Sequence, residues 1–295
     1  MTEDDSQTQP GAGPRRPSAQ DETLVSPPGG GAPAPSSGRD LAGTTLGDYR
    51  LDRKLAEGGM GEVYEATQLK LDRKVALKIL SRRLAERPEF LQRFEREAKS
   101  AAALNHPHIV QVHDFGQAGG HFYLIMELVE GEDMADYLVK RGKLPAAEAL
   151  DVIEQAAQAL QAARKKAIIH RDIKPANLLR TKEGRIKVSD LGLAKKLTDD
   201  SDMTATGVGI GSPHFLAPEQ ADDARRVDHR ADIYSLGITL LYLLTGKRPY
   251  EGTSAFSVIM AHASRPLPSG AELGTSLPDN MEGLIRRMAA KAFAS

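Results

Sequence analysis

The 295-residue chain has no cysteine and no tryptophan. Without cysteine there are no disulfides, thiolate zinc sites or thiol nucleophiles, which fits a reducing compartment. Charge of one sign is also lacking. A formal net charge of -1, from 39 cationic and 40 acidic residues, leaves no bulk field for gripping nucleic acid or an anionic membrane, so any phosphate recognition has to be local. No secretory signal opens the chain, because its first apolar pair, Leu24 and Val25, lies among prolines, glycines and acids. Long apolar runs are missing too: the most apolar stretch, Ile233 to Leu244, is too short to span a bilayer, holds polar residues and reads as a buried core helix. The expectation is a cytoplasmic chain with no nucleic-acid partner and no membrane span.

What is present is an ordinary globular mix, 40% hydrophobic and 27% charged. Residues 1–47 are rich in Pro, Gly, Ser and acids and hold no aromatic, so they read as a disordered tail that cannot offset the entropy of ordering. Residues 48–130 alternate short strand-like runs with turn signals such as Gln117 to Gly120. One helix interrupts them, opened by Pro88 with Phe90, Leu91, Phe94, Ala98, Ala101 and Ala102 at helical spacing. From Gly131 to residue 295 the pattern is mainly helical, with Leu150, Ile153, Ala157 and Leu160 as one apolar stripe. This predicts a small strand-rich lobe joined near Glu127–Gly131 to a larger helical lobe, with a ligand crevice between them.

Three stretches carry chemistry. Gly58, Gly59 and Gly61 sit between two strands, where glycine lets backbone N–H groups approach an anion; an ordinary hairpin turn has the same signature. In "KVALKIL", Lys78 shares a strand face with Ala76 and Leu80, so it must pair or reach water, and Glu97 on the following helix is the best candidate partner. In "HRDIKPAN", Asp172 can accept a proton from an incoming hydroxyl, Lys174 can neutralise a phosphoryl oxygen, and Asn177 offers a neutral oxygen to a hard cation. A turn at "TKEG" then leads to a strand ending in Asp190, a second oxygen ligand for magnesium.

Jointly these motifs resemble the eukaryotic-like serine/threonine protein kinases of bacteria, from about Asp48 to the chain end. "GGMGEVY" resembles the glycine-rich loop, "VALKIL" the nucleotide-lysine strand, "REA" the ion-pair helix, "HRDIKPAN" the catalytic loop, "DLG" the metal motif, "APE" at Ala217 to Glu219 the end of the activation segment, and "DIYSLG" the central helix. The resemblance implies an α+β bilobal kinase fold and ATP-dependent phosphorylation of protein Ser/Thr hydroxyls, the chain's own included through a homodimer. Magnesium would be the metal, with manganese as a substitute.

The resemblance also implies the site. Ala56, Glu57, Gly58, Gly59, Met60, Gly61 and Val63 would cover the nucleotide, with Ala76 beside the adenine. Lys78, held by Glu97, would contact the α- and β-phosphates. Met126 would gate the adenine, and Glu127 to Val129 would bond its edge. Asp190 and Asn177 would hold the metal ions, Asp172 would serve as base, and Lys174 would touch the γ-phosphate. Arg171 implies a switch through phosphorylation at Thr204 or Thr206. Two readings compete: a kinase-like binding or scaffold module, and a small-molecule kinase, against which Lys174 and "SPHFLAPE" argue.

The sequence departs from the family in four places. Ala56 replaces the first glycine of the loop, Leu191 stands where many relatives carry phenylalanine, and Ser212 stands where a threonine usually contacts the catalytic aspartate. "LIRRMAAKAFAS" resembles the helix before the family's last segment, so the helical lobe is expected to be incomplete at its end, with Glu219 lacking an arginine partner.

Overall fold

The structure, a computed structural model, describes residues 40–191, 213–222 and 227–291. The strand-like runs form one six-stranded antiparallel sheet: β1 (Thr45–Leu46), β2 (Tyr49–Gly58), β3 (Gly61–Gln68), β4 (Arg73–Leu80), β5 (Val112–Ala118) and β6 (His121–Met126), in the spatial order β1-β2-β3-β4-β6-β5. Its register is tight: Gly58 faces Gly61 across a two-residue turn, Val63 faces Lys78, and Ala76 faces Met126. Alternation along β4 feeds two cores. Val75, Leu77 and Ile79 pack with Leu51, Tyr64 and Ile125, whereas Ala76 and Leu80 pack with Phe90 and Phe94.

The second of these cores belongs to α2 (Pro88–Ala102), which follows the short α1 (Arg82–Ala85) and buries Phe90, Phe94, Ala98 and Ala101. Pro88 occupies its first turn, where a missing N–H costs nothing. β1 falls inside the stretch read as tail. Its Leu46 is buried and Leu41 packs beside it, so ordered sheet begins before residue 48. Residues 1–39 lie outside the described residues.

The helical lobe opens with a three-stranded sheet, β7 (Gly131–Asp133), β8 (Leu178–Thr181) and β9 (Ile186–Val188). Between β7 and β8 run α3 (Met134–Arg141) and α4 (Ala146–Arg164); α5 (Glu219–Asp222), α6 (His229–Thr245), α7 (Ala255–Ser264) and α8 (Asp279–Met288) follow. The acids after the hinge have structural work: Asp133 caps α3 by accepting from the Ala135 and Asp136 amides, and Glu132 pairs with Lys140 at 2.6 Å.

α6 is buried almost all round, as expected of the stretch from Ile233 to Leu244, although Ile233 itself is exposed. The expected stripe on α4 is rotated. Ile153 is buried, but Leu150 and Ala157 face solvent, and the packed face is Ala149, Val152, Ile153, Ala156, Ala159 and Ala163. Alanines on that face let α4 lie close to α6, an advantage that hydrophobic counting alone does not register. Among the described residues no helix is long and apolar enough to cross a membrane.

Candidate active site

The loop before β8 is anchored by apolar residues at both ends. Ile173 and Leu178 are fully buried in the helical core and hold the polar residues between them in place. Arg171 adopts a left-handed backbone conformation, φ 66°, as does Asp190, φ 57°. Each costs about 1 kcal/mol for a side chain larger than glycine and persists only where surrounding bonds enforce it.

At Arg171 those bonds come from Asp232 on α6. Its buried carboxylate accepts the amides of His170 at 2.9 Å and Arg171 at 2.7 Å. Burial raises its pKa, against the pull of His170, those two amides and Arg171. The His170 ring adds two further ties: Nδ1 accepts the Asp172 amide at 3.2 Å, which leaves Nε2–H to donate to the Ser189 carbonyl at 2.8 Å. Gln220, just past "APE", donates to the Arg171 carbonyl at 2.8 Å.

The chemical groups then fall together. The Asp172 carboxylate lies 2.7 Å from Lys174 Nζ and 3.1 Å from Asn177 Nδ2, and the same amide nitrogen donates to the Asp172 carbonyl at 2.7 Å. With its nitrogen committed, Asn177 keeps Oδ1 as its oxygen for a cation. Ser189 donates its amide to the Asn177 carbonyl at 3.0 Å, which ties the residue before Asp190 to the loop.

Lys78 Nζ sits 2.7 Å from Asp190 Oδ1, its side chain only 11% exposed. Burial pushes the Asp190 carboxyl up, but the charge and hydrogen bond of Lys78, helped by His170, hold it below the ordinary value. The expected partner was Glu97, and no Lys78–Glu97 pair occurs among the described contacts. Glu97 instead lines a cavity of about 300 Å³ together with Arg96, Ser100, Ile168, Arg171 and Leu191. Asp190 takes the lysine because the chain just past the end of β9 brings a carboxylate straight to β4.

Above the lysine, the turn between β2 and β3 carries the glycines. Gly61 has φ 138°, and a Cβ there would overlap the Ile79 carbonyl, so glycine is required by the sheet itself. At Gly58 and Gly59 a Cβ would meet nothing, so the protein's own packing does not explain them. Ala56 and Glu57 continue β2, with Glu57 3.0 Å from Lys54, and Met60 packs partly into the core beside α2.

At the junction of the lobes Met126 is buried, and Glu127 is fixed by Gln111 and by Lys187 at 2.9 Å. Among the described residues no hydrogen bond engages the Val129 N–H or carbonyl. Thr204, Thr206 and Ser212 lie outside the described residues. Glu219 is half-buried. Sequence reasoning assigned no role to His170, Asp232 or Gln220. An acid directly before the most apolar stretch of the chain, Ile233 to Leu244, was the available signal for Asp232.

A curled sheet over a helical lobe, with Lys78 and Asp190 facing the loop of Asp172 and Asn177, defines a bilobal kinase fold. The chain belongs to the protein kinase family: the family model described as protein kinase domain matches residues 49–292. It is 43% identical over 251 residues to the serine/threonine-protein kinase PknA of Mycobacterium tuberculosis, covering 82% of this chain and 57% of that protein. To the serine/threonine-protein kinase PrkC of Bacillus subtilis it is 42% identical over 245 residues, covering 83% of this chain and 38% of that protein. The chain thus spans little more than half of one relative and less than half of the other. The crystal structure of the Mycobacterium tuberculosis PknI kinase domain aligns with a TM-score of 0.67 at 32% identity, covering 86% of this chain and 92% of that one.

Proposed function

We propose that the chain transfers the γ-phosphoryl group of ATP to serine and threonine hydroxyls of proteins, itself included. The observation that carries this reading is the Asp172 carboxylate held between Lys174 and Asn177, 2.7 and 3.1 Å away. Asp172 orients the acceptor hydroxyl and takes its proton, while Lys174 stabilises charge on the transferring group. Lys78 positions the α- and β-phosphates, and the space left open over Gly58 and Gly59 admits them.

The donor set, an amide oxygen at Asn177 and a carboxylate at Asp190, suits magnesium, a hard cation that prefers oxygen. When bound, the metal neutralises phosphate charge. Asp190 and Asn177 would hold it, and Lys78 would face the phosphates. Val129 offers its unengaged N–H and carbonyl to the adenine edge, with Ala76 and Met126 against the ring. Arg171 would answer phosphorylation at Thr204 or Thr206. We place the protein in the cytoplasm, with protein substrates, a transient homodimer and no nucleic-acid partner.

Incubation of the chain with γ-labelled ATP and magnesium, followed by acid hydrolysis, tests the reading. Labelled phosphoserine or phosphothreonine that disappears with chelator is the expected result, and label on small molecules alone contradicts it.

A further inference from the structure

The stem of the glycine turn is crossed by an ion-pair cluster. Glu57 and Glu62 are paired across β2 and β3, next to the pair Gly58 and Gly61. Directly opposed residues project to the same face of a sheet, so two carboxylates stand side by side there, an arrangement that by itself pushes the strands apart. Lys54 answers both charges. Its Nζ lies 3.0 Å from Glu57 Oε2 and 2.9 Å from Glu62 Oε1. The bond to Glu62, and then that to Glu57, raise the lysine pKa, so the side chain keeps its charge at neutral pH.

Strand alternation alone would place Lys54 and Glu57 on opposite faces. A bulge at Leu55 reverses this: Lys54 pairs with Tyr64 and Ala56 with Val63, which leaves Leu55 as the extra residue. Lys54, Glu57, Glu62 and Tyr64 consequently share one face. Tyr64 is fully buried there, in the core of Leu51, Leu77 and Ile79. Its hydroxyl donates to Glu62 Oε2 at 2.6 Å and accepts the Leu41 amide at 3.2 Å, so Glu62 is held by Lys54 at one oxygen and by Tyr64 at the other. The opposite face carries Val63, which pairs with Lys78 of β4. The lysine bridge therefore lies on the reverse of the surface on which Lys78 reaches Asp190.

We propose that Lys54 is a positioning residue for the nucleotide phosphates: from the outer face of the sheet it clamps Glu57 to Glu62, cancels their mutual repulsion and so keeps β2 and β3 paired up to the turn at Gly58 and Gly59. That this turn addresses phosphates rests on the phosphoryl-transfer reading; the clamp itself does not. The effect is local, because partly exposed ion pairs add little to global stability. It belongs in the turn and in its ligand rather than in the melting temperature. Lys54→Met leaves the two acids facing each other, Lys54→Arg keeps the charge, and Glu62→Gln in the Met background removes the repulsion while still accepting the Tyr64 hydroxyl.

The experiment uses the full chain and measures dissociation constants for ATP with magnesium and for adenosine, which lacks phosphates, by isothermal titration calorimetry. Hydrogen exchange of peptides spanning residues 54–64 accompanies it. Lys54→Met should weaken ATP about threefold to tenfold, the weight of two partly exposed ion pairs, and leave adenosine within about twofold. Exchange across 54–64 should quicken in the same variant. Lys54→Arg and the double variant Lys54→Met with Glu62→Gln should both bind ATP within about twofold of the unmodified chain. Lys54→Gln repeats the comparison if Lys54→Met does not fold. Unchanged ATP affinity in Lys54→Met, or equal losses for ATP and adenosine that neither Arg nor Glu62→Gln relieves, would overturn the proposal. Failure of the unmodified chain to bind ATP defeats the phosphoryl-transfer reading instead, and the exchange comparison then decides on the clamp alone.

Discussion

Asp232, on the central helix, accepts the Arg171 amide at 2.7 Å, sixty-one residues away in sequence. The same carboxylate accepts the His170 amide, so one buried group pins the left-handed backbone on which the loop turns. Asp232→Ala strands two buried N–H donors, each worth about 1–3 kcal/mol when unsatisfied, so the variant should lose roughly 2–5 kcal/mol of stability. Urea unfolding followed by circular dichroism measures it. A loss near zero would mean the loop holds its shape without α6.

Lys78 is the only basic side chain bonded to Asp190 among the described contacts. Lys78→Met removes the charge that opposes burial, so the Asp190 pKa should rise, read by carboxyl carbon NMR across a pH titration. On the phosphoryl-transfer reading the same change lowers kcat about a hundredfold or more.

Gly61 and Gly59 should separate fold from function. Gly61→Ala forces a side chain into the Ile79 carbonyl at a positive φ and should destabilise by about 2–4 kcal/mol. Gly59→Ala meets open space and should leave stability within about 0.5 kcal/mol. Its effect should appear in the KM for ATP. Thermal melts and ATP kinetics on both variants check the contrast.

Asp52, on β2, gives the sheet a pH dependence. Burial pushes its carboxyl up, but bonds from Lys74, Thr67 and Arg50 lower it from 3.8 to about 2. A carboxylate depressed in the folded state contributes stability above its unfolded value, and that contribution is lost as pH falls from about 4 toward 2. Asp52→Asn should therefore be less stable than the unmodified chain at neutral pH and converge with it over this interval. Denaturant midpoints at stepped pH test it.

Strands β2 to β6, the turn glycines, α2 and the acid, cation and amide of the loop were legible in sequence, because each rests on local spacing or turn chemistry, whereas the short β1 lay in the stretch read as tail. The partner of Lys78 was not legible: the sequence pointed to Glu97, and only the placement of β4 against the end of β9 brings Asp190 to the lysine instead. The face of α4 was misread because alanines, light in any hydrophobic count, are what allow close helix approach. Asp232 and Gln220 act across long sequence separations, where no periodicity points to the pairing.

The central claim is that Asp172, held between Lys174 and Asn177, is the base of a phosphoryl transfer to protein hydroxyls. The direct measurement compares label transfer from ATP by the purified chain and by Asp172→Asn, with nucleotide affinity measured on both. A fall of about 10²–10⁴-fold in transfer with nucleotide binding retained is the predicted result. Equal transfer by both proteins, or none by the unmodified chain despite tight nucleotide binding, would contradict it.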